Sequence, residues 1–174
     1  MTVRHSLLAM LADQPAHGYA LKTGFETSTS GTWPLNIGQV YTTLARLRRD
    51  GLVEPENLDD HGPRQTWRIT DKGRLALEHW YESPVLDDPP ARDELAIKVL
   101  LAVATQEVDV SRILQGQRAA TMERLQSWTR LKRQADPEQE IPWLLLLDAL
   151  ILKAEAEIHW LDICEQRLSQ GRHG

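Results

Sequence analysis

The chain has 174 residues, a formal charge of -5 and one cysteine, Cys164. That length suits one domain or two small ones. A single cysteine excludes an intrachain disulfide framework, and the absence of low-complexity segments points to a folded protein. Residues 1–83 hold nine Lys/Arg against ten Asp/Glu, and residues 84–174 hold eleven against fifteen. Neither half is basic, so any nucleic-acid contact must come from a local patch.

In chain order, Val3, Leu7, Leu8 and Leu11 recur at helical spacing and predict a helix over 3–12. The apolar run Leu7 to Leu11 is cut by Asp13, too short for a signal peptide. A second helix restarts near Ala16 and runs to Thr27, half-burying Tyr19, Leu21 and Phe25. "STSGTWPL" is a loop by its Ser, Gly and Pro content. Asn36 is a good N-cap for a third helix, with Gln39 at N3 in a near capping box. Ile37, Val40, Tyr41, Leu44 and Leu47 give that helix one apolar face, and Gly51 fits the left-handed position that ends it. Leu52 to Glu56 and "RQTWRIT" read as two strands around "NLDDHGPR", a β-hairpin. Thr70 then caps "DKGRLALEHWYE" as a helix.

Three prolines among the acids of "ESPVLDDPPARDE" mark a boundary. The expected division is a domain over 1–83, a linker over 84–93 and a domain over 94–174. The second domain reads as three helices: "RDELAIKVLLAVA", a long charged one over "DVSRILQGQRAATMERLQSWTRLKRQ", and a last from Pro142 to Leu168. On the last, Leu144, Leu147, Ile151, Ala154, Ile158 and Leu161 step by threes and fours. Such a stripe most often packs within one subunit. Its length here favours a coiled-coil-like seam between two copies. The apolar run Trp143 to Leu152 contains Asp148 and cannot span a bilayer. A soluble cytoplasmic protein with no membrane contact is expected.

Three helices followed by a hairpin is the order of a winged helix-turn-helix module. The fold class is therefore mainly α with a small β-hairpin wing: an N-terminal winged helix-turn-helix and a C-terminal helical dimerisation domain. The outward face of the third helix carries Gln39, Thr42, Thr43, Arg46 and Arg49, with no acid until Asp50. Those are side chains that pair with base edges, and carboxylates there would repel phosphate. An ordinary solvated face carries similar residues; Arg64, Arg68, Lys72 and Arg74 on and beyond the hairpin shift the balance towards DNA.

The segments "HGYALK", "WPLNIGQVYTTLARLRRDGLV" and "RQTWRITDKGR" resemble the signatures of PadR-type transcriptional regulators. The matching positions are Gly18, Tyr19, Gly38, Tyr41, Leu44, Leu47, Gly51, Leu52, Trp67, Thr70 and Gly73. The resemblance is specific over residues 3 to about 78 and looser over 90–170, where it rests on length and helicity. It implies a homodimeric repressor that binds a near-palindromic double-stranded DNA operator and lets go when a small molecule binds. Carried over, Asn36 opens the recognition helix and Gln39, Thr42, Thr43 and Arg46 face the groove. The Tyr41 hydroxyl lies near phosphate, Arg64 and Gln65 belong to the wing, and Lys22 joins the DNA contacts. Asp59 and Asp60, beside His61, depart from what a phosphate-binding wing tip needs.

Trp80, Trp143 and Trp160 are candidates for a pocket holding a small aromatic effector, against the plainer reading that they pack. No HExxH or Cys/His pairing points to a metal, and no cofactor loop or catalytic pair stands out. An enzyme is not expected. The rival reading is a winged-helix protein–protein interaction module without specific DNA binding.

Overall fold

The computed structural model describes residues 2–57, 65–85, 93–105 and 108–171. They form two compact units, residues 1–86 and 87–174. Most of the expected linker, residues 86–92, lies outside the described residues.

The first unit runs α1 (Thr2–Asp13), β1 (Ala16–His17), α2 (Gly18–Ser28), α3 (Ile37–Arg49), β2 (Val53–Pro55), β3 (Thr66–Ile69) and α4 (Asp71–Glu82). The two expected strands pair antiparallel, Val53 opposite Ile69 and Pro55 opposite Trp67. The sequence did not reveal β1, a two-residue strand on the other edge of β3 that places Ala16 opposite Trp67. Helix α1 packs against α2, α3, α4 and β3. The core is Leu7, Leu8 and Leu11 with Leu21, Val40, Leu44, Leu47, Trp67 and Leu77. Each such side chain contributes roughly 1.5–3 kcal/mol on burial, offset by chain entropy.

Local chemistry sets the joints. Gly51 has φ +72°. Its N–H donates to Arg48 C=O at 2.9 Å, and Leu52 N–H donates to Leu47 C=O at 2.9 Å. This is the Schellman closure that lets α3 stop and turn directly into the sheet. Thr70 Oγ1 accepts the Gly73 N–H at 3.1 Å and donates to Gly51 C=O at 2.8 Å, so one hydroxyl caps α4 and braces the end of α3. At Gly73 an added Cβ would lie 2.2 Å from Leu52 O, so only glycine lets α4 approach the strand this closely.

The second unit is α5 (Glu94–Thr105), α6 (Val110–Gln134) and α7 (Ile141–Gly171). Helices α6 and α7 form an antiparallel hairpin. Leu147, Ala154 and Leu161, one every seven residues, are buried in it within this chain. Of the six residues expected at the intersubunit seam, these three have no surface left for a second copy, and Leu144, Ile151 and Ile158 flank them half-buried. The periodicity identified a packed face, and its partner within the chain is α6.

The hairpin is also laced by polar pairs. Arg118 bridges Asp162 at 2.6 Å and Glu165 at 2.9 Å, and Lys132 pairs with Asp148. Glu157 accepts from Gln117 at 2.8 Å and from the fully buried Thr121 hydroxyl. Glu165 holds the Arg118 guanidinium above its ordinary pKa. Basic groups on α6 thus meet acidic groups on α7 in a single register.

Candidate nucleic-acid interface

Helix α3 is the element that the fold presents. Asn36 caps it from extended backbone, its Oδ1 accepting the Gly38 N–H at 2.8 Å. Val40, Leu44 and Leu47 are fully buried beneath it. On the opposite face Gln39, Thr42, Arg46 and Arg49 are exposed and Thr43 is half-buried. The Thr42 hydroxyl donates to Gly38 C=O at 2.8 Å, leaving its lone pairs and methyl to face outward.

Three arginines, Arg46, Arg48 and Arg49, fill the last turn, where they also complement the helix dipole. Two have partners in the fold. Arg48 sits over the Trp67 ring at 6.0 Å, and Arg49 Nε lies 3.4 Å from Asp50. Arg46 is exposed and has no ion pair among the described residues. Asp50, the acid that closes this face, is also held by Arg4 of α1 at 3.0 Å, while Lys72 Nζ donates to its carbonyl at 2.9 Å. The sequence reading missed Arg4, because the pairing joins residues 46 positions apart. The result is a face of amides, hydroxyls and guanidiniums whose one bordering carboxylate is neutralised.

Tyr41 is half-buried, its ring against the start of α2. A Cβ on Gly18 would stand 2.7 Å from Tyr41 Cε1, which explains the glycine there. Lys22, expected among the DNA contacts, has a partner within the fold. Its amine is 2.6 Å from Glu26, one turn along α2, and Glu26 also accepts the Leu35 N–H at 3.0 Å. Lys22 therefore serves the joint that fixes the entry to α3. The Lys22 hydrogen bond, followed by that from Leu35, holds the Glu26 carboxyl below its ordinary pKa.

On the wing, Gln65 is half-buried at the start of β3. Arg68 pairs with Glu54 across the strands at 2.8 Å, so its charge is largely balanced. Arg64, Asp59, Asp60 and His61 lie outside the described residues.

The tryptophan pocket is corrected as well. Trp80 stacks on His5 at 4.9 Å and 4° against the core of the first unit. Trp160 packs with Val99, Leu114 and Leu161 in the second unit. Trp143 lies 17 residues before Trp160 on one helix, about 25 Å along its axis, too far to line one small site with it. Trp80 and Trp160 pack against cores because an indole buries a large apolar area. Among the described residues no group of three or more His, Cys, Asp or Glu could hold a metal, and no helix is long and apolar enough to cross a membrane.

Comparison with known proteins agrees with this architecture. Residues 7–79 match the family model described as the transcriptional regulator PadR-like family, and residues 91–169 match that described as virulence activator alpha C-term. The probable transcriptional regulator Rv1176c of Mycobacterium tuberculosis is 25% identical across 99% of this chain and 100% of its own length. The transcriptional regulator Rv3488 of the same organism is 36% identical across 56% of this chain and 82% of its own. Among solved structures, Bacillus subtilis PadR in complex with operator DNA superposes with a TM-score of 0.69 at 16% identity, covering 95% of this chain and 98% of that one. The same protein in complex with p-coumaric acid gives 0.71 at 17% identity over 95% and 98%. The Vibrio cholerae virulence activator AphA gives 0.68 at 24% identity over 97% and 98%. Those superpositions carry the fold, a winged helix-turn-helix followed by a helical region; the sequence matches carry the kinship. The chain belongs to the PadR-like family of transcriptional regulators, which are not enzymes.

Proposed function

We propose that this regulator is a homodimeric, sequence-specific DNA-binding repressor of the cytoplasm, released from its operator by a small molecule. The observation that carries the reading is the outward face of α3. Gln39, Thr42 and Arg46 are exposed together, unobstructed by acid, on a helix braced from beneath by Leu44 and from both ends by Asn36 and Gly51. Gln39 suits adenine and Arg46 suits guanine in a major groove. Repression follows from occupancy, since a protein seated over a promoter excludes polymerase. A fold neighbour captured with operator DNA and with p-coumaric acid supports both partners.

Dimerisation is proposed through a different face of α7 from the buried one. Ile141, Leu145 and Leu152 are exposed on the side opposite Leu147 and Leu161. Uncovered apolar stripes of this kind mark interaction surfaces. A second reading, activation rather than repression, is favoured by the virulence-activator match over residues 91–169.

The experiment is a gel-shift titration on the DNA upstream of the protein's own coding region at two salt concentrations, paired with a reporter driven by that DNA. Tight binding that resists random competitor and weakens with a log–log salt slope near -0.9 per phosphate contact is expected, with lower reporter output. Higher output would establish the activating reading. Weak binding, equal on any DNA, would favour a protein partner for the winged helix.

A further inference from the structure

Helix α3 carries no acid along its length and ends against Asp50. Two arginines compete for that carboxylate. Its Oδ2 lies 3.0 Å from Arg4 of α1, and its Oδ1 accepts the Arg49 Nε–H at the longer distance of 3.4 Å. Lys72, at the start of α4, donates to the Asp50 carbonyl at 2.9 Å. Three cations from three elements therefore meet around one acid, in a protein whose net charge is -5. Arg49 is the most exposed of the competing pair, with 76% of its side chain open against 41% for Arg4. A guanidinium bound at Nε keeps its two terminal NH2 groups, the fork that suits a phosphate.

The length of α3 decides what that fork can meet. Arg49 stands ten residues beyond Gln39 on the helix, about 15 Å along its axis. A major groove is about 12 Å wide. A helix whose first turns stand on base edges therefore brings its last turn to the rim of the groove, where the phosphates are. A free carboxylate at that rim does harm twice. It repels phosphate, and it draws the neighbouring Arg49 onto itself. Arg4 prevents both by taking the shorter bond to Asp50.

We propose that Arg49 grips a DNA backbone phosphate at the C-terminal end of α3, and that Arg4 is the positioning residue that keeps Asp50 from capturing it. This clamp deepens the DNA-binding reading and rests on it. Two tasks are then divided along one helix. Gln39 and Arg46 choose the sequence, and Arg49 adds affinity that is the same on every sequence. A mere brace between α1 and α3 would act on folding, whereas this role acts on the counterions released when DNA binds.

The purified full-length protein is titrated, by fluorescence anisotropy across a salt series, onto two labelled duplexes of equal length. One is the DNA upstream of its own coding region and the other has random sequence. Arg49→Gln should weaken binding to both by a similar factor, roughly tenfold, and flatten the log–log salt slope by about 0.9. Arg4→Gln should weaken both by roughly three- to fivefold and flatten the slope in the same way. Adding Asp50→Asn to Arg4→Gln should restore affinity and slope. Adding Asp13→Asn instead, which gives the same net charge, should not. If Arg4→Gln melts below the assay temperature, Arg49→Gln decides alone. The proposal is overturned if Arg49→Gln keeps the full slope, or if its loss is confined to the upstream duplex. It is overturned too if Arg4→Gln with Asp50→Asn binds as weakly as Arg4→Gln, which would make Arg4 a plain brace or a phosphate contact itself. Wild type that prefers the upstream duplex while Arg49→Gln keeps its slope sinks the clamp alone. Wild type that binds neither duplex sinks the DNA reading with it.

Discussion

The two units solve the problem of burial differently. Among the described residues of 1–86, thirteen buried apolar side chains gather into one core that every helix of the unit and the sheet help to build. In residues 87–174 the corresponding cluster holds Val99, Leu114 and Leu161, while Ile97, Leu100, Leu145 and Leu152 stay uncovered. The first unit closes one shared core, with Tyr19, Trp33, Leu75 and Tyr81 left exposed around it. The second spends one face of each long helix on a partly polar hairpin and has apolar surface left for something else. Rigidity suits a DNA-reading head; uncovered apolar surface suits the assembly proposed for the second half.

The largest effect that would sharpen this contrast lies within α7. Leu147→Asp removes a buried side chain and leaves an unpaired carboxylate against α6, so it should cost at least about 4 kcal/mol, seen as loss of helicity in thermal melts. Leu145→Asp with Leu152→Asp, on the exposed side of the same helix, should leave the helix intact and convert a dimer to monomers by sedimentation. A double variant that stays dimeric at micromolar concentration would remove that face from the assembly.

Next in size is the first unit's own joint. Gly73→Ala should destabilise it by about 1–3 kcal/mol, because the new methyl meets a backbone carbonyl that cannot rotate away. Chemical denaturation that shows no change would mean that α4 can slide on the strand, and the unit is less rigid than described. Arg46→Ala should leave stability alone and cost about 1–3 kcal/mol of operator binding, relaxing choice at one base position. An equal loss on every sequence would make Arg46 a phosphate contact.

The smallest effect concerns Glu26. Its folded pKa lies below the ordinary carboxylate value, so its contribution is fully present above that value and is lost as pH falls through the lowered one. Wild-type stability should therefore decline on acidification more steeply than that of Glu26→Gln, whose amide oxygen can still accept from Leu35. Parallel pH profiles for the two would show that the Lys22–Glu26 pair does not hold the entry to α3.

How much of this was legible in the sequence depended on how local the cause was. Asn36, Gly51 and Thr70 act through bonds to residues within a few positions or through their own backbone angles, and each was readable as a cap or a stop. The hairpin strands were readable because Trp67 and Ile69 alternate inward. Strand β1 was not, since Ala16 and His17 are extended only because β3 offers an edge. The step of seven on α7 was visible, but periodicity gives a face and not what covers it; that needed Leu114 and Thr121 of α6 to be placed. Asp50 read as a bare acid until the fold brought Arg4 against it. The tryptophans drew too much, because size and rarity are features of composition and not of position.

The hydrogen bonds at the start of α3 also limit how much text the protein can read. Asn36 Oδ1 and the Thr42 hydroxyl proton are already committed to the helix's own backbone. Of the polar side chains facing out, Gln39 and Arg46 have all their donors free among the described residues, and Asn36 and Arg49 keep part of theirs. A reader with so small an alphabet recognises a short word, and a genome contains many chance copies of any short word. Discrimination must then come from grammar: two such words at one fixed spacing, recognised together.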